Sequence, residues 1–171
     1  SAARLSLVDR CGLLEPSVGL DLVDPGASVT FFSLMGLARI SLVDSAGNTL
    51  LDSFVAVAEE VTNYNTKISG VRPEDLAEAE SFDTIMEKVR GLLRGKIIVG
   101  HSLEHDFAVM YGYSPWFTRD TAQYFKKGSK KPSLKSLVEK HLGKSIQTGE
   151  HSSVEDARTT MELYVKFRNE W

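Results

Sequence analysis

The sequence predicts an α/β domain in which a mixed β-sheet is covered by helices. Three observations predict it. Short apolar runs at Val18–Val23, Leu37–Val43 and Thr49–Val57 follow one another with hairpin signals between them. A later apolar run, Ile97-Ile98-Val99, sits between stretches of helical periodicity. The last third of the chain is punctuated by helix starts and stops. Hairpin-linked strands followed by strands alternating with helices make a sheet that is antiparallel on one side and parallel on the other.

Residues 1–17 show little periodicity and end in Glu15-Pro16-Ser17, so they read as an arm leading into a domain over 18–171. The three opening runs read as a β-meander, with Ser45-Ala46-Gly47-Asn48 as the second turn. Ser81 is placed to cap a helix, because Phe82, Ile85, Met86, Val89, Leu92 and Leu93 recur at helical spacing as far as Gly95. The strand at Ile97-Ile98-Val99 leads through Gly100 into a short helix from about Leu103, and a further short strand is expected around Phe117–Asp120. Ser133 starts a helix that stops at Gly143, and Ser152 starts the last one, through about Phe167.

A chain of 171 residues with 42% hydrophobic and 25% charged side chains has the composition of one globular domain with a full core. No apolar run approaches the ~20 residues of a membrane span. The start carries neither a Met nor a charged segment followed by an apolar one, so the chain reads as a domain cut from a longer protein, and its single cysteine fits a reducing intracellular compartment. The single cysteine, Cys11, excludes an internal disulfide and a cysteine-rich zinc site. The net charge of −3 is unevenly spread: residues 126–144 hold seven Lys and one acidic residue, a local charge of +6, which leaves 13 basic and 22 acidic residues elsewhere. Lys126, Lys127, Lys130, Lys131 and Lys135 are therefore the candidate contacts to a phosphate backbone, against the plainer reading of a solvated helix face.

Four residues point to metal-assisted hydrolysis. Asp21 lies inside an apolar run, where an unpartnered carboxylate is costly. Asp106 follows Gly100-His101-Ser102-Leu103, at the end of a strand. His151 and Asp156 stand five residues apart across a helix start. Asp156 also suits the first helical turn, and Ser152 with Glu155 has the spacing of a capping box, so each signal has a structural reading of its own. Carboxylates are the oxygen ligands that Mg2+ or Mn2+ prefers, and histidine is the side chain whose ordinary pKa suits it to accept a proton near neutral pH. His101, His105 and His141 read as hydrogen-bonding or solvent-facing groups. Gly91–Lys96 fails as a P-loop because its spacing is one residue short, and no Gly-x-Ser-x-Gly elbow supports a serine hydrolase.

Taken together, Asp21, Gly100-His101-x-Leu103-x-x-Asp106 and His151-x-x-x-x-Asp156 resemble the motifs of the DEDDh 3′–5′ exonucleases, of RNase H-like, DnaQ-type fold. Gly36–Val43, Tyr64–Val71, Arg119-Asp120-Thr121, Pro132–Lys135 and His151–Arg158 look like the RNA exonuclease 4 and interferon-stimulated exonuclease branch. The resemblance implies two metal ions bridged by Asp21, with Asp156 on the nucleophile side and Asp106 on the other, and His151 taking the proton of the attacking water. It implies an RNA 3′ end as substrate, single-stranded or structured, with DNA as an alternative, and a nuclear or nucleolar location, with the cytoplasm as the alternative.

The first motif departs from the pattern. The family reads Asp-x-Glu, whereas this chain has Asp21-Leu22-Val23-Asp24-Pro25. Residues 21 and 23 of a strand share a face, so Val23 stands where a ligand would be, and Asp24 points to the opposite face unless a bulge intervenes. Two readings follow. One is an exoribonuclease working with four of five groups; the other is a pseudonuclease that serves as an RNA- or protein-binding module in a ribonucleoprotein assembly.

Overall fold

The computed structural model describes residues 2–7, 37–57, 61, 64, 66–110, 117–149 and 151–171. Five strands form one sheet: β1 (Ala2–Leu7), β2 (Arg39–Asp44), β3 (Thr49–Phe54), β4 (Ile97–Gly100) and β5 (Thr118–Asp120). Their order is β3-β2-β1-β4-β5. β1 runs antiparallel to β2 and β2 antiparallel to β3, while β1–β4 and β4–β5 are parallel. This is the RNase H-like sheet that the resemblance implies.

Two strands of the expected meander, at Leu37–Val43 and Thr49–Val57, are present as β2 and β3. Ala2–Leu7, inside the stretch read as an arm, pairs with β2 from Ala3↔Asp44 to Leu7↔Ile40 and with β4 from Ala2↔Ile97 to Arg4↔Val99. Its Ala3, Leu5 and Leu7 alternate with Ala2, Arg4 and Ser6, the period of a strand. Val18–Val23 presents a more continuous apolar run and draws the strand assignment away from it. Val18–Val23, with Asp21, Val23 and Asp24, lies outside the described residues. Asp44 builds the β2–β3 turn by accepting the backbone N–H groups of Ala46 and Asn48, and Gly47 supplies the positive φ of 85°.

The helices are α1 (Thr66–Ser69), α2 (Pro73–Ala77), α3 (Phe82–Leu93), α4 (Leu103–Val109), α5 (Thr121–Tyr124), α6 (Leu134–Leu142) and α7 (Ser153–Phe167). The expected caps are in place: Ser81 accepts Thr84 N–H, Ser133 accepts Ser136 N–H, and Ser152 accepts Glu155 N–H. Gly143 ends α6 in the left-handed conformation. Strand periodicity divides the core between the two faces of the sheet. Ile40, Leu42 and Ile98 pack with Ile85, Met86, Val89 and Leu93 of α3. On the other face Val43 and Val99 pack with Ala157 and Met161 of α7. A third cluster joins α6 to α7 through Leu134, Leu137, Val138, Ile146 and Leu163. α7 lies against β2, β1 and β4, and α4 also touches β1. No helix among the described residues is long and apolar enough to cross a membrane.

Candidate functional site

The site is built where β4 ends. A Cβ at Gly100 would stand 2.2 Å from Leu103 Cδ2, so any larger residue there would force the Leu103 side chain, at the start of α4, off the strand end. Ser102 takes a left-handed φ of 61° to make that turn. Its side chain does not cap α4. Asp120, at the end of β5, does so from outside: its carboxylate accepts Ser102 N–H at 2.9 Å, Leu103 N–H at 3.0 Å and Ala122 N–H at 2.8 Å. Thr121 Oγ1 donates its one hydrogen to Gly100 O at 2.9 Å, so His101 Nδ1, 2.9 Å from Thr121 Oγ1, is the donor in that contact and carries a proton. The turn before α4 is thus held by two neighbouring residues of another strand end.

α4 then separates its polar residues. Asp106 is 5% exposed, whereas Glu104 and His105 face solvent. Glu104 pairs with Lys131, and although burial pushes its carboxyl up, the Lys131 contact outweighs this and holds it below the usual range. Asp106, the sequence candidate, is the inward one of the three. His101 is hydrogen-bonded and His105 exposed, whereas His141 packs on the Phe125 ring.

The other candidate residues lie at the start of α7. His151 is half-buried immediately before the Ser152 cap, and Asp156 is half-buried in the first turns. Asp156 Oδ2 accepts the Gln147 side-chain amide at 2.9 Å. Ser153, the first residue of α7, meets Ser41 of β2 at 2.6 Å between hydroxyl oxygens. Ser41 donates to Asp52 Oδ1 at 2.8 Å, and Arg39 grips the same carboxylate with two N–H groups at 2.8 and 2.9 Å. Arg39, Ser41, Asp52 and Ser153 therefore pin the helix that carries Asp156 to the sheet. Gln147, Asp120 and this network escaped the sequence reading because each acts through a partner distant in sequence.

The donor chemistry of Asp106 and Asp156 suits Mg2+ or Mn2+, both being carboxylates on helices that flank β1. Among the described residues no group of three His, Cys, Asp or Glu side chains is placed to hold a metal ion. β1 itself carries no carboxylate. Lys127 and Lys130 bridge each other in a tight hairpin, backbone N–H to C=O at 3.1 Å each way, and Lys126, Lys127 and Lys130 are exposed on it. Lys135 is exposed on α6, while Lys131 and Lys144 are engaged by Glu104 and Glu162.

The exonuclease family model matches residues 32–164. The chain belongs to the exonuclease family. RNA exonuclease 4 of Saccharomyces cerevisiae is 44% identical over 142 residues, covering 79% of this chain and 49% of the relative. The human RNA exonuclease 4 is 41% identical over 139 residues, covering 78% and 33%. This exonuclease-family chain thus spans about a third to a half of the length of these relatives. Among solved structures, the Pan2 catalytic unit of Neurospora crassa, a protease and nuclease domain, superposes with a TM-score of 0.72 at 31% identity, covering 78% of this chain and 24% of that one. The Pan2 pseudoubiquitin hydrolase–RNA exonuclease module of Saccharomyces cerevisiae in complex with A7 RNA gives a TM-score of 0.74 at 28% identity, covering 99% and 29%. The exonuclease family match begins downstream of Asp21-Leu22-Val23.

Proposed function

We propose that this domain engages RNA 3′ ends as a 3′–5′ exoribonuclease does, with a hydrolytic site retained on α4 and α7 and incomplete in the first motif. In this reading Asp106 and Asp156 hold Mg2+ or Mn2+ together with Asp21, and His151 accepts the proton of the attacking water on an imidazole nitrogen. The metal supplies charge neutralisation at the phosphate and lowers the pKa of bound water. The carrying observation is the asymmetry of the chain. Asp106, His151 and Asp156 stand within the matched segment, while Val23 replaces a carboxylate upstream of it and β1 contributes none. Losing one such ligand costs several kcal/mol of transition-state stabilisation, about a thousandfold or more in rate. RNA binding does not depend on that ligand, since the exposed lysines of 126–130 and Lys135 meet the backbone.

The reading places the domain in an RNA-handling protein of the nucleus or nucleolus, with structured RNA or a ribonucleoprotein as its partner. Fluorescence anisotropy tests the substrate directly. A single-stranded RNA with a 3′-hydroxyl should bind more tightly in Mg2+ than the same sequence closed into a circle. Equal affinity for both would remove the 3′ end from the account and leave a general RNA or protein-binding module.

A further inference from the structure

Gln147 lies between α6 and α7 with a φ of 56°, a left-handed backbone that residues with side chains seldom adopt. Such a conformation persists where the surroundings over-determine it. On one side Ile146 is 2% exposed and packed with Leu134, Leu137, Val138 and Leu163, which anchors the chain just before Gln147. On the other, the Gln147 side-chain amide reaches across to Asp156 Oδ2 at 2.9 Å. Only the NH2 half of an amide can face a carboxylate, since the flipped group would set oxygen against oxygen.

We infer that Gln147 is a positioning residue for Asp156: its amide holds one carboxylate oxygen so that the group is set, before a cation arrives, as a one-oxygen ligand for Mg2+ or Mn2+. The inference rests on the reading of Asp156 as a metal ligand. A carboxylate has lone pairs for about four hydrogen bonds or ligands, so the bond at Oδ2 leaves room for coordination. Mg2+ tolerates little deviation from octahedral geometry, and an oriented ligand loses less freedom on binding it. Partners that orient metal ligands in this way commonly change affinity by about 10- to 100-fold. The left-handed backbone supports this assignment, because it directs the side chain at α7 while Ile146 stays in the core.

The test is Mn2+ binding to the 171-residue chain by calorimetry, with thermal melting run on each variant. Asp156→Asn should lose affinity, and Gln147→Leu should lose about tenfold or more while melting close to the native chain. Gln147→Gly accepts the positive φ without strain and lacks the amide, so it should show the same loss even if Gln147→Leu folds poorly. Unchanged or tighter binding in both Gln147 variants, with Asp156→Asn impaired, would overturn the positioning role and leave the site reading standing. Absent Mn2+ binding by the native chain, or equal binding by Asp156→Asn, would overturn both.

Discussion

The hydroxyls of Ser41 and Ser153 meet at 2.6 Å with both residues buried, one in the middle of β2 and the other at the first position of α7. Their separation in sequence is 112 residues, yet this contact ties the helix start that carries His151 and Asp156 to the sheet. Ser41 also donates to Asp52, which Arg39 holds in a fork. Ser41→Val leaves the Ser153 hydroxyl buried without this partner and should cost about 1–3 kcal/mol in denaturant unfolding. Burial pushes the Asp52 carboxyl up, but Arg39 and Ser41 outweigh it and hold the pKa below the usual range. A depressed folded-state pKa contributes stability above the unfolded value, lost as pH falls through the folded one. Native and Asp52→Asn unfolding curves should therefore differ at pH 7 and converge below about pH 4.

Close approach at Gly100 makes a second prediction. Gly100→Ala sets a methyl against Leu103 and should destabilise the chain by about 1–3 kcal/mol, as overpacking does. Trimming the neighbour in Gly100→Ala/Leu103→Ala should cost less than the sum of the two single changes. Strict additivity in that cycle would show that the two side chains do not share the space.

His141 packs on the rings of Phe125 and Phe167, with centroids at 4.8 and 5.1 Å. Burial, then the charges of Lys140 and Lys166, lower its pKa from the ordinary histidine value of 6.5. The unfolded chain then binds a proton before the folded one does, so stability falls as pH drops below about 6.5 and levels off beneath the folded-state pKa. His141→Gln should remove that part of the melting-temperature slope between about pH 7 and 5; an unchanged slope would reject the cause.

The lysine hairpin predicts a salt effect. Changing Lys126, Lys127 and Lys130 to Ser should lower the slope of log affinity for single-stranded RNA against log salt by about two units, at roughly 0.7 per phosphate contact. A variant with the native slope would assign these lysines to solubility alone.

Much of this organisation was legible in the residues. Ser81, Ser133, Ser152 and Gly143 announce helix ends because capping is local chemistry, and the near-continuous apolar runs of β2 and β4 announce a sheet covered on both sides. Asp106, His151 and Asp156 were visible by spacing, but only burial separates Asp106 from its neighbours Glu104 and His105. β1 was not legible, since its six residues carry fewer apolar side chains in a row than Val18–Val23 downstream. Asp120 and Gln147 were not legible as holders of the site, because an 18-residue reach to Ser102 N–H and a nine-residue reach to Asp156 leave no periodic trace.

The proposed function is the holding of an RNA 3′ end at a site whose cleavage is crippled by the missing first-motif ligand. Incubating a 5′-labelled single-stranded RNA with the native chain in Mg2+ or Mn2+, beside His151→Ala and Val23→Glu, tests it most directly. The account predicts no ladder from the native chain under conditions where it binds the RNA, and shortening from the 3′ end by Val23→Glu. Laddering by the native chain that disappears in His151→Ala would contradict it and establish a working exoribonuclease.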